Sequence, residues 1–217
     1  MRLATLRAEV ARYAKKMSAS GLVRATQGNL SARDPESGLI CVTPSGADYD
    51  LLSAEDIVVV DAEGAVVEGQ WKPSLETPLH TLLLGRRADI HCVMHTHSLY
   101  ASAFAVLYQP VPMILAESAA CLGGPVPTMP YQESGTLEFA ERAAEALGQG
   151  HALLWGNHGA MVVGPSLALT YSIAHALEDT ARIYAIAAQL GMPTELPPDE
   201  VARLHAWWKA SYGQRVN

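Results

Sequence analysis

Three histidines, His91, His95 and His97, fall within the otherwise apolar stretch "HCVMHTHS". Side chains alternate across a β-strand, so His95 and His97, two apart, share a face and aim two imidazoles at one point. Such a pair can chelate a cation at the ~2.0–2.1 Å typical of zinc. His91 shares that face but lies deeper in the strand, where a structural or supporting role is expected. A third imidazole is offered by His158 in "GNHGA", between Gly156 and Gly159, where a tight turn can approach another strand's end. Three histidines plus an open position is the arrangement of a catalytic zinc site, and another divalent transition metal would fit the same donors. Glu76, in "PSLETP", is a candidate general base beside such a metal. Each residue also has a plainer reading: polar strand-edge histidines, an exposed turn histidine, and a carboxylate interacting with a helix dipole.

The elements that must position these residues follow from pattern. Leu3 to Ala19 reads as an amphipathic helix with Gly21 just past its end. "GNLSAR" and "LICVTPSG" read as short strands, and "IVVVDAEGAVVEG" as a hairpin turning at Asp61 to Gly64. In "KPSLETPLHTLLLG" Ser74 is expected to cap a helix that Gly85 ends. "ADIHCVMHTH" reads as a strand, "SLYASAFAVL" as a helix, "VPMIL" as a strand and "SGTLEFAERAAEALG" as a helix. "HALLWGNHGAMVVG" reads as two strands folded around Gly156 to Gly159. Helices from Ser166 to Gln189 and from Asp199 to Ser211 close the chain. Interspersed helices, strands and hairpins predict an α/β fold with a mixed, largely antiparallel sheet. No glycine-rich dinucleotide or P-loop motif is present.

The 217 residues are expected to form a single domain, 1–217, since no repeat or low-complexity stretch divides them. A hydrophobic fraction of 49% and a net charge of −7 suit a globular protein and argue against a nucleic-acid partner. No apolar run approaches a membrane span, so no membrane partner is expected. Three cysteines without a CxxC pair argue against a disulfide framework and for a reducing, cytoplasmic setting.

The motifs "TQGNLSAR", "TPSG", "KPSLETPLH", "VMHTHSLYA", "LLWGNHGA" and "SYGQ" occur in the order and spacing of the class II aldolase/adducin family. The chain resembles that family over nearly its whole length, and most resembles the L-fuculose-phosphate aldolase-like sugar-phosphate aldolases. The resemblance implies a three-layer α/β/α sandwich, a homotetramer with active sites at its interfaces, and a zinc cofactor held by His95, His97 and His158. It implies that Glu76 is the catalytic base. Tyr212 would reach a neighbouring subunit's site and protonate the aldehyde oxygen. Gly28, Asn29, Thr43, Ser45, Gly46 and Ser74 fall on loops that would hold the phosphate of a sugar phosphate substrate. The implied reaction is reversible retro-aldol cleavage of a ketose 1-phosphate, through an enediolate, to dihydroxyacetone phosphate and a small aldehyde.

Departures from the family pattern bear on which member this is. The L-ribulose-5-phosphate 4-epimerase has aspartates in place of Glu76 and Ala120, which argues against epimerisation. The fuculose enzyme has a second phosphate-loop serine in place of Leu75 and, near Ala116, a tyrosine that helps position the aldehyde, and both differences bear on the substrate. Glu117 falls near the catalytic glutamate of methylthioribulose-phosphate dehydratase, so a substrate or supporting role stays open for it. Dehydratase and sugar-acid phosphate decarboxylase activities remain alternatives, as does an adducin-like, non-catalytic binding module.

Overall fold

Alternate burial along the strands organises the molecule from its sheet outward. The computed structural model describes residues 1–211. Its strands are β1 (Asn29–Arg33), β2 (Ile40–Val42), β3 (Val58–Val60), β4 (Val66–Glu68), β5 (Cys92–Thr96), β6 (Thr128–Met129), β7 (Ala152–Trp155) and β8 (Gly159–Gly164). Its helices are α1 (Ala4–Ala19), α2 (Thr77–Arg86), α3 (Leu99–Leu107), α4 (Ala116–Leu122), α5 (Leu137–Leu147), α6 (Leu167–Leu190) and α7 (Pro198–Ser211). The strands form one sheet in the order β4-β3-β2-β1-β5-β8-β7-β6. Only β6 and β7 pair in parallel, so the sheet is mixed and largely antiparallel as expected.

Leu30, Ala32, Met94, Leu154, Ala160 and Val162 turn to one face of the sheet and pack with Val10 and Met17 of α1, Phe104 of α3 and Ile173 and Leu177 of α6. The residues between them, including Val93, Leu153, Met161 and Val163, pack with Leu79 and Leu83 of α2 and Phe139 and Ala143 of α5. Two apolar layers on one sheet give the three-layer α/β/α sandwich. Each large side chain so buried contributes roughly 1.5–3 kcal/mol before entropy is counted. His95 shares its strand face with Val93, and therefore lies on the thinner α2/α5 side.

Local chemistry accounts for most boundaries. Gly21 follows α1 at φ +76, and the side chains of Thr136 and Ser166 accept from Phe139 N and Leu169 N at the starts of α5 and α6. The hairpin of β3 and β4 closes on Asp61, whose Oδ1 accepts from Glu63 N and Ala65 N. Two expectations fail. "VPMIL" is no strand: Pro110 and Pro112 lack N–H donors, and only Val111 bridges, to Val126. The alanine-rich stretch after it forms α4, stopped by Gly123 at φ +78. In α2 the helix begins at Thr77, later than a Ser74 cap implies, and continues through Gly85 to Arg86.

The loop into β1 passes under β5 at Gly28, which has φ +73. A Cβ there would lie 2.4 Å from Val23 Cγ1 and 2.6 Å from the main-chain oxygen of His95. Gly28→Ala adds both a left-handed penalty and a clash, so it should lower unfolding free energy by about 3 kcal/mol. Chemical denaturation measures this; an unchanged midpoint would show that the loop yields freely.

Candidate metal centre and active site

The antiparallel pairing of β5 with β8 brings the turn before β8 to the end of β5, with Thr96 opposite Ala160. His95, His97 and His158 converge there, their nearest ring nitrogens all within 4.8 Å of one another. The Nε2 atoms of His95 and His97 are 2.8 Å apart. His95 Nδ1 lies 3.0 Å from the carbonyl oxygen of Ala160, so that nitrogen donates and Nε2 keeps its lone pair for the centre. The indole of Trp155 stacks on the same imidazole, with ring centroids 4.4 Å apart. Burial pushes the pKa of His95 and of His97 down to about 3, and like-charge repulsion within the cluster adds to it. His95 and His97 are thus held neutral, the state a divalent transition metal requires, and the three convergent imidazoles fit such an ion.

Glu76 is the N-cap of α2 and is buried beside the cluster. Its Oε2 is 3.8 Å from His95 Nε2 and its Oε1 is 3.8 Å from His158 Nε2. The Asn29 amide donates to Oε2 at 2.7 Å, and Asn29 stands opposite His95 in the register of β1 with β5. A carboxylate so held forms no ion pair with a Lys or Arg among the described residues and faces the histidines, which suits proton transfer beside a bound metal.

The loops expected to hold phosphate are also assembled. Ser45 N donates to Lys72 O, Ser74 N donates to Thr43 O, and Pro44 bridges Pro73. Thr43, Ser45 and Gly46 therefore lie against Ser74, two residues before Glu76. Tyr49, unmarked by the sequence reading, ties in Gly28: its buried hydroxyl donates to Gly28 O at 2.8 Å and lies 3.3 Å from Thr43 Oγ1.

Other assignments land elsewhere. Glu117 sits in the first turn of α4, not at a strand end, and lines an apolar cavity with residues of α6 and α7. His91 stays outside the cluster, its Nδ1 buried without a partner. Tyr212 lies outside the described residues. Sequence reasoning missed Trp155, Tyr49, and His80, which is fully buried with Nδ1 2.7 Å from Ser31 Oγ. Its place one helical turn after Glu76 was the available signal. Cys41, Cys92 and Cys121 are all buried free thiols. No helix among the described residues is long and apolar enough to cross a membrane.

Residues 8–185 match the family model described as Class II Aldolase and Adducin N-terminal domain. The chain is 35% identical over 209 residues to a 5-deoxy-D-ribulose 1-phosphate aldolase of Bacillus thuringiensis serovar kurstaki, covering 96% of this chain and 97% of the relative. It is 33% identical to a 5-methylthioribulose-1-phosphate/5-deoxyribulose-1-phosphate aldolase of Rhodospirillum rubrum, covering 94% and 90%. A solved structure of an L-fuculose 1-phosphate aldolase superposes with a TM-score of 0.92 at 35% identity, covering 96% of this chain and 98% of that one.

His80 makes the metal-free fold sensitive to acid. Burial pushes its pKa down to about 4, with Glu76 opposing and His95 adding to the shift. An unfolded histidine titrates near ~6.5, so between about pH 6.5 and 4 the unfolded chain binds a proton that the fold refuses. Stability contributed by neutral His80 should be complete above that window and fall as pH drops through it. Thermal midpoints of chelator-treated protein across this range should fall less steeply for His80→Asn than for wild type. Parallel profiles would remove His80 from the effect.

Proposed function

The chain belongs to the class II aldolase and adducin family and is a lyase of the aldolase type, and from that premise we propose that it cleaves a ketose 1-phosphate to dihydroxyacetone phosphate and a small aldehyde. The observation that carries this reading is the convergence of three imidazoles with the buried carboxylate of Glu76. Zinc held by His95, His97 and His158 would act as a Lewis acid, stabilising negative charge that develops on substrate oxygens. Glu76, oriented by Asn29, takes and returns the proton on the carbon next to the carbonyl. The loops of Gly28, Asn29, Thr43, Ser45, Gly46 and Ser74 hold the phosphate through hydroxyls and through main-chain N–H groups other than those of Thr43, Ser45 and Ser74, which are spent within the fold. In a homotetramer of single-domain subunits, Tyr212 of a neighbouring copy protonates the aldehyde oxygen.

The rim supports a narrower substrate class. Gly135 packs close to the main-chain oxygen of Leu75, the residue before Glu76, and so draws in the loop that leads to exposed Leu137. The Leu137 side chain offers no partner to a terminal hydroxyl and favours an apolar end on the aldehyde half. A 5-deoxyketose 1-phosphate, with its aldehyde half ending in a methyl group, fits that rim better than a fully hydroxylated sugar. The relatives named for 5-deoxy and 5-methylthio substrates agree with this chemistry.

Two measurements test the reading. Zinc-loaded protein should release dihydroxyacetone phosphate faster from 5-deoxyribulose 1-phosphate than from ribulose 1-phosphate, at least tenfold in kcat/KM, and chelation should abolish both; the roughly tenfold figure corresponds to about 1.4 kcal/mol in the transition state. Equal rates would overturn the apolar-end assignment, and full turnover after chelation would overturn the metal. Glu76→Gln should keep its zinc yet lose about 10²–10⁴-fold in exchange of the carbon-bound proton of dihydroxyacetone phosphate with solvent. Unchanged exchange would remove Glu76 from the role.

A further inference from the structure

We propose that Tyr108 and Asn157 are positioning residues that set the place of His158, so that the geometry of the centre depends on a phenol outside its ligand set. The proposal rests on the reading of His95, His97 and His158 as a metal centre.

The three histidines are not held alike. His95 is fixed by its bond to Ala160 O and by the Trp155 ring, and the backbone at His97 is tied by its N–H to Leu22 O. No hydrogen bond to the His158 ring holds it among the described residues; its place must come from the turn that carries it. That turn is closed by His158 N donating to Trp155 O at 3.0 Å. Its outer side rests on Tyr108, the residue that ends α3, and α3 itself begins two residues after His97. The Tyr108 hydroxyl donates to Asn157 Oδ1 at 2.7 Å and accepts from Tyr131 N at 3.3 Å. Its ring lies so close to the turn that a Cβ on Gly156 would come within 2.7 Å of Tyr108 Cε1.

The backbone carries the same message. Tyr108 has φ 54 and Asn157 has φ 56, two of the four non-glycine residues with positive φ among those described. Side chains resist that conformation, and here two such residues are bonded to each other, directly before a candidate ligand. The bond therefore links the helix that follows His97 to the turn that presents His158, and fixes the separation of the two imidazoles. Neither residue touches substrate in this role; both act through the turn.

Zinc affinity separates this role from simple packing. Metal-free wild type, Tyr108→Phe, Asn157→Gly and the double variant would be titrated with zinc against a chromophoric chelator, and their thermal midpoints recorded without metal. Glycine accepts positive φ freely, so Asn157→Gly removes the acceptor without straining the turn. Each single variant should bind zinc about tenfold more weakly, the scale seen when groups supporting ligands are lost. The double variant should be no weaker than Tyr108→Phe, because one bond is removed twice. Cobalt-loaded variants should also show altered ligand-field spectra, while metal-free thermal midpoints stay at the wild-type value. Variants that bind zinc like wild type, losses that add in the double variant, or lowered midpoints with unchanged affinity would each overturn the proposal. Wild-type protein that takes up no zinc would overturn the metal centre itself, and the proposal with it.

Discussion

The antiparallel register of β5 between β1 and β8 is the constraint on which the site depends. It sets Asn29 opposite His95 on one side and Ala160 opposite Thr96 on the other. From the first pairing comes the amide that holds Glu76; from the second come the carbonyl that orients His95 and the arrival of the His158 turn. A slip of one residue would turn His95 to the opposite face of the sheet, into the layer formed by α1, α3 and α6. The apolar alternation of both strands forbids that slip, because Val93 and Met94, or Met161 and Val162, would all change layers together. Packing energy spread over the whole sheet thus specifies where one imidazole stands.

Burial that fixes the site also works against it. Imidazoles with pKa driven down to about 3 are kept neutral by desolvation, and neutral nitrogens are what a metal needs. The same burial leaves polar atoms such as Asn29 Oδ1, His80 Nε2 and Trp155 Nε1 without hydrogen-bond partners among the described residues. Such atoms are a cost in any fold. They cluster on the α2/α5 face, around the carboxylate and the histidines, and the large apolar layer on the other face supplies the stability that tolerates them.

How much of this was legible in the sequence depended on range. His95 and His97 could be paired because strand alternation is local, and the sandwich followed from the spacing of helices and strands. The resemblance to a family joined His158 and Glu76 to them across distances that periodicity does not bridge. "VPMIL" misled because its apolar pattern suits a strand, while Pro110 before it and Pro112 within it deny the donors a strand needs. α4 was hidden by its shortness. Tyr108, Tyr49 and Trp155 gave no signal because their roles lie in contacts with residues distant in the chain: Tyr108 and Asn157 are 49 positions apart. A tyrosine at a helix end and another after a turn read as ordinary surface or core residues until the fold brings their hydroxyls to a turn.

The net charge of −7 makes the proposed phosphate site a problem of geometry more than of field. Among the described residues no cationic side chain is bonded into the loops of Thr43 to Gly46 and Ser74; the connections are main-chain bonds and the Pro44–Pro73 bridge. Neutral donors bind an anion well only when they are already aimed, since each must otherwise be ordered at binding. Here the ordering is done in folding, by Tyr49 across Gly28 and Thr43 and by Ser74 against Glu76 N. Asn29 belongs to both halves: it begins β1 beside Gly28, and its amide is spent on the Glu76 carboxylate. A phosphate that drew on that amide would loosen the hold on Glu76. Binding of one end of the substrate and freedom of the base at the other are thereby joined through a single side chain.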